Sequence, residues 1–512
     1  MDIAKSYLNE YSKNKGFIAH QIDSYNDFVE RRLQKTVDEI AKITIELPTG
    51  EELTIKLGKV SIERAQINEA DGSVRAIYPS ETRLRNLTYS TPIFVEMTPV
   101  FEEREHDTET VEIGEIPIMV KSCLCPLSKM TRTELIKAGE DPYDPGGYFI
   151  VNGTERVIVL SEEIAPNKLI LQKKADEITA RINCEKSGYI QRHVFERCPE
   201  GIITAKFANL VKTPIPIIVL MKALGLETDK EVIEAIGTEE EDIEDVYINI
   251  YDTQIANREE ALDYIGKKMK VRMKEQREER ATQLLNNYLL AHLGNEPKDS
   301  IKKAKFLGLV IRKLILLHKG KIKEDDIDHY SNKRLKMPGD LLEILFRSII
   351  MGRWGLIARL QYNYQKMMKR GRKLLKLQSV VVSDVLTKQI MRAMATGNWV
   401  GGKTGVCQRL ERSNFVRTIS HLRSVVSPLS STQEHFEARE LHATQWGRLC
   451  AVRTPEGQSI GLRNFLALGA QVTIPSNEAD KTKVLSTLKS LGVEIEQENK
   501  QSKVEQHDRN LY

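Results

Sequence analysis

Residues 397–463 hold the side chains best suited to chemistry, and phosphate is the group they suit. Gly397-Asn-Trp-Val-Gly-Gly402-Lys403-Thr404 satisfies the pattern GxxxxGK[ST], in which loop amides and a lysine cradle phosphates and a hydroxyl holds magnesium. That chemistry needs a buried strand before the loop and a helix starting at the lysine. Residues 383–394 instead space Leu386, Ile390 and Ala393 as an amphipathic helix, and Gly405 discourages a helix after the loop. Val246-Tyr-Ile-Asn-Ile-Tyr-Asp252 is the nearest apolar strand ending in an acid that could face magnesium, and it is a weak one. A P-loop NTPase using Gly397 to Thr404 is the alternative reading, and a chance match to the pattern is preferred over it.

Metal and nucleophile chemistry find less support. Cys123-Leu-Cys125 is one close thiol pair, whereas a structural zinc site takes four ligands, and Cys184 and Cys198 lie 14 residues apart. With Cys407 and Cys450, the six cysteines are expected as free thiols in a reducing cytoplasm. No HExxH, nucleophile signature or paired-aspartate cluster accompanies the basic residues. What remains suits a polyanion. Arg409, Arg412, Arg417 and Arg423 can neutralise phosphates, while Phe415, His421 and Trp446 can stack or brace a loop. Thr454-Pro-Glu-Gly457 reads as a tight turn. Any one of these alone is a surface arginine or a core aromatic; it is their density in one run that points to a partner.

The elements that must position this run are legible from periodicity. Residues 7–40 are helical in pattern, and 43–47 alternates with 53–57 around Pro48 as a hairpin. Asn152-Gly153 between two apolar runs is the strongest short hairpin signal. Strands are expected at 169–172 and 178–183, and a helix at 302–318 that places Leu307, Val310, Ile311, Leu314 and Leu317 on one face before Gly320. Residues 341–376 read as one long helical stretch, broken or bent near Gly352 and Gly355. Little periodicity follows residue 395, and a short helix is expected around 482–491.

Composition sets the class. In 512 residues, 41% are hydrophobic and 29% charged, which fits a foldable α+β chain of several domains. Its N-terminus is polar, and no apolar run approaches the roughly 18 residues of a membrane span, so no membrane association is expected. The net charge of +4 conceals segregation: residues 341–463 hold 20 Lys or Arg against 7 Asp or Glu, and residues 227–263 hold 14 acids against 2 bases. The acidic block reads as a solvated surface and the basic block as a face for nucleic acid.

Several blocks then resemble a family. Gly447-Arg-Leu-Cys-Ala-Val-Arg-Thr-Pro-Glu-Gly-Gln-Ser-Ile-Gly-Leu462 resembles the TPEG signature of the second-largest subunit of multisubunit DNA-directed RNA polymerases. His20-Gln-Ile-Asp-Ser-Tyr-Asn-Asp-Phe28, Tyr78-Pro-Ser-Glu-Thr-Arg-Leu-Arg-Asn-Leu-Thr-Tyr89, Gly146-Gly-Tyr-Phe-Ile-Val-Asn-Gly153, Asp328-His-Tyr-Ser-Asn-Lys-Arg-Leu335, Ala395-Thr-Gly-Asn-Trp399 and Ser420-His-Leu-Arg423 agree in order, together covering about residues 7–470. The pattern is similar to archaeal and eukaryotic members rather than bacterial ones. It resembles the N-terminal half (B double-prime) of a subunit that some archaea make as two polypeptides.

The resemblance implies a multi-domain α+β fold: a protrusion at 1–177 and 341–394, a lobe at 178–340 inserted into it, a fork at 395–470 and a tail at 471–512. It implies a subunit that forms one wall of the DNA cleft and is inactive in nucleotidyl transfer when isolated. The fork would lie near the RNA–DNA hybrid, with Gln408, Arg423, His442, Gln445 and Trp446 at positions near nucleic acid or bracing its loops; together with Arg409, Arg412, Arg417 and Arg453 they are the expected nucleic-acid-binding residues. Implied partners are the C-terminal half (B prime), the largest-subunit chains, the small subunits, and template and non-template DNA. Magnesium would be held by the largest subunit and zinc by partner subunits, leaving no cofactor in this chain. One departure stands out: Ala451-Val-Arg453 precedes Thr454 where many relatives carry Pro-x-Glu, which reverses a charge near the hybrid.

Overall fold

The computed structural model describes residues 2–493 except 15, 47–51, 70–71, 102–103, 175–176, 211–212, 238–242, 254, 370–375 and 475–477. Residues 1–470 form one unit and 471–512 another. The first unit starts from a sheet with period-two burial: along Ser90–Phe101, Thr91, Ile93, Val95 and Met97 all turn into the core. This strand pairs antiparallel with Glu52–Ile62 and Glu109–Pro117, and Lys42–Glu46 extends the sheet. The expected 43–47/53–57 pairing is present in the register Ile43↔Ile55 and Ile45↔Leu53, while its Pro48 turn lies outside the described residues.

Helices Leu33–Ile40, Pro338–Met351, Leu356–Met368 and Asp384–Thr396 pack with that sheet. Residues some 300 positions apart therefore share one core, with Phe28, Leu33 and Ile93 against Leu341, Phe346 and Leu386. Gly114 (φ 142°) permits a close approach, because a Cβ there would stand 2.7 Å from the Leu386 Cβ and 2.8 Å from the Ser383 carbonyl. The stretch expected to break or bend near Gly352 and Gly355 is broken there into two helices, where the Gly355 N–H donates to the Gly352 carbonyl.

Between the two halves of that core sits an insert with a core of its own. Strands Ile170–Lys174, Glu177–Lys186, Tyr189–Arg197, Ile203–Phe207 and Ile215–Pro216 pair in sequence order as an antiparallel meander. Helices pack on it, above all Ser300–His318, which buries Leu307, Val310, Ile311, Leu314 and Leu317. Among the described residues, no member of the first core falls between Ile158 and Leu341, and the insert's core runs from Leu171 to Leu317. Residues 246–252, considered above as a strand, belong to the helix Ile243–Asp252. Val246, Asn249 and Ile250 are buried at helical spacing, so the run of apolar and aromatic residues satisfies a 3.6 period instead of alternation.

Two small sheets then receive the basic region. Asn152 (φ 50°) and Gly153 (φ 70°) make the expected two-residue hairpin between Phe149–Val151 and Thr154–Ile158. Cys407–Arg409 adds antiparallel to Thr154–Ile158. Leu160–Ile164 pairs with Lys333–Lys336 and, in parallel, with Ser424–Val426, which pairs with Arg463–Phe465. Residues beyond 395 are thus less irregular than their composition suggests: three short strands and the helix Phe415–Leu422 order them.

The second unit contains the helix Glu478–Ser490, close to the expected 482–491, and its Val484, Leu485 and Leu488 are exposed. Among the described residues, no helix is long and apolar enough to cross a membrane and no cluster of His, Cys, Asp or Glu is grouped to hold a metal.

Candidate nucleic-acid interface

The P-loop geometry is absent. Helix Asp384–Thr396, rather than a strand, leads into residues 397–404, and a strand rather than a helix follows them. Gly397 ends the helix in the left-handed conformation, and the Trp399 N–H donates to the Lys403 carbonyl, so the loop closes on itself. Lys403 pairs with Glu163, and the buried Trp399 indole donates to the Leu341 carbonyl at 2.8 Å. These residues pin the loop and leave no cradle for a nucleotide.

The strand Cys407–Arg409, the helix Phe415–Leu422 and the strand Arg463–Phe465 instead converge on Gln408. Asn414 caps that helix by accepting from the Arg417 N–H at 2.7 Å. His421, buried on the inner face, accepts from the Glu411 N–H at Nδ1 (3.2 Å). Its proton therefore sits on Nε2, which donates to Gln408 Oε1 at 3.1 Å. Burial, helped by the Arg463 charge, lowers the imidazole pKa to about 4 and keeps it neutral. Arg463 Nη2 reaches the same Gln408 oxygen at 3.3 Å, and its buried Nε has no partner. Gln408 Nε2 donates to the Gly405 carbonyl at 2.9 Å, so the Gln408 amide is held from three sides.

The predicted cations divide by partner. Arg409 is exposed and, among the described residues, makes no ion pair. Arg412 lies 4.7 Å from the Tyr148 ring centroid and pairs with Glu155 and Asp144 at 2.6 and 2.9 Å. Arg417 pairs with Glu411, a bond that holds the Glu411 carboxyl below the usual carboxylate range. An open cleft of about 630 Å³ between Arg83, Glu155, Arg409 and Arg412 borders the hairpin turn at Gly153 and Thr154.

Arg423 requires a correction. It is buried, and its guanidinium donates to the carbonyls of Phe17, Ala467 and Leu468, so it has no face left for a phosphate. Of its two implied roles, bracing is the one it performs. The N-terminal helix Ala19–Asp27 joins at the same place: His20 Nε2 and Gln21 Nε2 donate to the Leu422 carbonyl at 3.1 and 2.8 Å.

His442, Gln445 and Trp446 sit on a separate loop. His442 Nε2 donates to Asp326 Oδ2 at 2.8 Å, and its Nδ1 is 2.6 Å from Thr444 Oγ1, which accepts from the Tyr330 N–H at 3.0 Å. That clamp carries the turn Ala443–Gln445, beyond which Trp446 is 83% exposed. Arg453 is half-buried, 4.4 Å from the Phe465 ring centroid, and Thr454 Oγ1 fastens its loop by donating to the Arg463 carbonyl at 3.0 Å. Sequence reading missed Glu411, Arg463 and Arg439; the last donates to the carbonyls of Ser431, Gln458 and Ile460. No spacing rule marks an arginine as a brace. The Asn414 cap was the one local signal for the helix beside Gln408.

The assembled surface offers guanidinium and amide donors and an exposed aromatic, the equipment for holding a phosphodiester strand rather than transforming a small molecule. The chain matches the family described as RNA polymerase beta subunit over residues 16–388, and RNA polymerase Rpb2, domain 3, over residues 408–472. It is 44% identical to DNA-directed RNA polymerase subunit Rpo2N of Methanocaldococcus jannaschii, covering 97% of this chain and 100% of that protein. It is 40% identical to the Rpo2N subunit of Methanococcus vannielii, covering 95% and 98% of the two chains. Subunit Rpo2 of Saccharolobus solfataricus is 43% identical over 95% of this chain, which spans only 43% of that longer protein.

Proposed function

The chain belongs to the RNA polymerase beta subunit family as the N-terminal half of a split archaeal-type second-largest subunit, and we propose that its 405–463 surface holds nucleic acid in the cleft of the assembled enzyme. It is a component of DNA-directed RNA polymerase. We further propose that it corresponds to B double-prime, with protrusion at 1–177 and 341–394, lobe at 178–340, fork at 395–470 and tail at 471–512. In this reading it works in the cytoplasm with the C-terminal half (B prime), the largest-subunit chains and the small subunits, on template and non-template DNA and the RNA–DNA hybrid. Magnesium supplies the nucleotidyl-transfer chemistry from the largest subunit and zinc belongs to partner subunits. This chain's residues bind and orient strands.

The observation that carries this reading is the Gln408 centre. Its amide is held by His421, Arg463 and the Gly405 carbonyl, beside the exposed cation of Arg409. Arg409 and Arg453 supply phosphate contacts, the neutral His421 and Arg423 keep the loops in place, and Trp446 offers a stacking surface. Photocrosslinking of a 4-thiouridine-substituted RNA–DNA scaffold in the reconstituted polymerase tests it. Crosslinked peptides should fall within 405–463, and Arg409→Ala with Arg453→Ala should weaken binding and reduce its salt slope. Crosslinks that miss that span entirely would refute the assignment.

A further inference from the structure

A second concentration of cations lies far from Gln408. The helix Leu356–Met368 buries Leu356, Leu360 and Tyr364, and Gln361 and Gln365 tie it to a neighbouring strand by donating to the Thr44 and Glu46 carbonyls at 3.0 and 2.9 Å. Arg359, Tyr362, Lys366 and Lys369 follow at steps of three, four and three, which sets them in one outer stripe ending at the helix C-cap. Arg353 and Trp354 stand just before the helix. Trp354 is 76% and Tyr362 63% exposed, and each ring has a cation beside it: Arg353 5.7 Å from the Trp354 centroid, Lys366 5.9 Å from that of Tyr362.

Charge compensation is missing here. Between Glu343 and Asp384 the sequence has nine Lys or Arg and no acid. Among the described residues, Arg353, Arg359, Lys366 and Lys369 make no ion pair, whereas Arg347, one helix earlier, is paired with both Glu39 and Glu343. Three uncompensated cations along roughly 15 Å of helix, with Arg353 just before it, repel one another unless an anion covers them. Two exposed rings set among those cations repeat the alternation of base and phosphate along an unpaired strand. An acidic protein would need the cations but not the rings, and a duplex would keep its bases out of reach of the rings.

We propose that this stripe is a binding site for single-stranded nucleic acid, separate from the 405–463 surface. Phosphates lie against Arg359, Lys366 and Lys369, and bases stack on Trp354 and Tyr362. The site reads no sequence, because neither a guanidinium on a phosphate nor a ring on a base distinguishes one nucleotide from another.

Fluorescence anisotropy of a labelled oligodeoxythymidine strand with the full chain tests this. The combined Arg359→Ser, Lys366→Ser and Lys369→Ser variant should weaken binding at least tenfold at low salt and reduce the salt slope by about 2, near 0.7 per lost contact. Trp354→Ala should cost about tenfold and Trp354→Phe much less. In a Trp446→Phe background the strand should quench Trp354, since Trp399, the remaining tryptophan, is buried. Unchanged affinity and slope in the triple variant, or no quenching, overturns the proposal. So does poly-glutamate competing as well as the strand, which would assign the stripe to an acidic protein. Arg409→Ser with Arg453→Ser reports the other surface: loss there alone rejects the stripe and leaves the 405–463 reading standing, and loss in the stripe alone does the reverse.

Discussion

The insert and the 405–465 region are held together by different forces. The insert surrounds an apolar core from Leu171 to Leu317, and the buried Lys303 donates to the Leu285 and Asn286 carbonyls at 2.9 Å. The 405–465 region contributes Val406, Cys407, Leu410 and Leu422, with Val426 packed at the edge, to clusters built mainly by earlier residues. Arg423, Arg439, His442 and Thr454 fix it through side-chain hydrogen bonds instead, while Phe415, Phe436, Leu441, Trp446 and Val452 remain exposed. A domain built on burial is complete in itself. A region built on polar braces keeps its apolar side chains for the surfaces that meet it.

This contrast can be broken or sharpened by measurement. The largest effect is expected from Leu314→Ala in the insert, which opens a cavity in a fully buried site and should cost about 4 kcal/mol in urea unfolding. Hydrogen exchange should then rise throughout the insert but not at 405–465; equal rises in both would abolish the distinction. Arg423→Ala comes next. It strands three carbonyls and should cost about 3 kcal/mol, with exchange rising locally at 17–22 and 463–468. Global unfolding on that change would mean that polar braces support the whole unit.

The smallest effect follows from pH. Burial lowers the His193 pKa to about 4, and the nearby His292 and Lys303 also oppose its protonation. Because the folded pKa lies below the unfolded value near 6.5, the neutral native form keeps its full stability above pH 6.5 and loses it as pH falls toward 4. Taking the protein from pH 7 to pH 5 should cost the insert roughly 2 kcal/mol through His193 alone. Urea midpoints at both pH values, for the native protein and for His193→Gln, should show a smaller acid loss in the variant. An identical loss would exonerate His193.

Legibility in the sequence follows the same division. The Asn152-Gly153 hairpin, the helix Ser300–His318 and the helix break between Gly352 and Gly355 were readable because local conformation and burial period agree there. The helix Phe415–Leu422 was not, because its buried residues are Thr418, Ser420 and His421 beside a single aliphatic, Leu422. The GxxxxGK[ST] match misled because a regular expression carries no strand or helix context. The family resemblance located the Gln408 region, but could not separate Arg409, which faces out, from Arg423, which faces in. That difference is set by carbonyls of Phe17 and Ala467, distant in sequence and invisible to any window.

The bond from His20 to the Leu422 carbonyl spans 402 residues, and that has a consequence at the ribosome. Synthesis at about 5–20 residues per second leaves the first helices waiting tens of seconds for their partner carbonyl to emerge. The insert, whose buried core is complete by Leu317 with Ile322 packed on it, can finish folding during that wait. The nascent chain thus matures from its middle outward, and its beginning is the segment most in need of a chaperone.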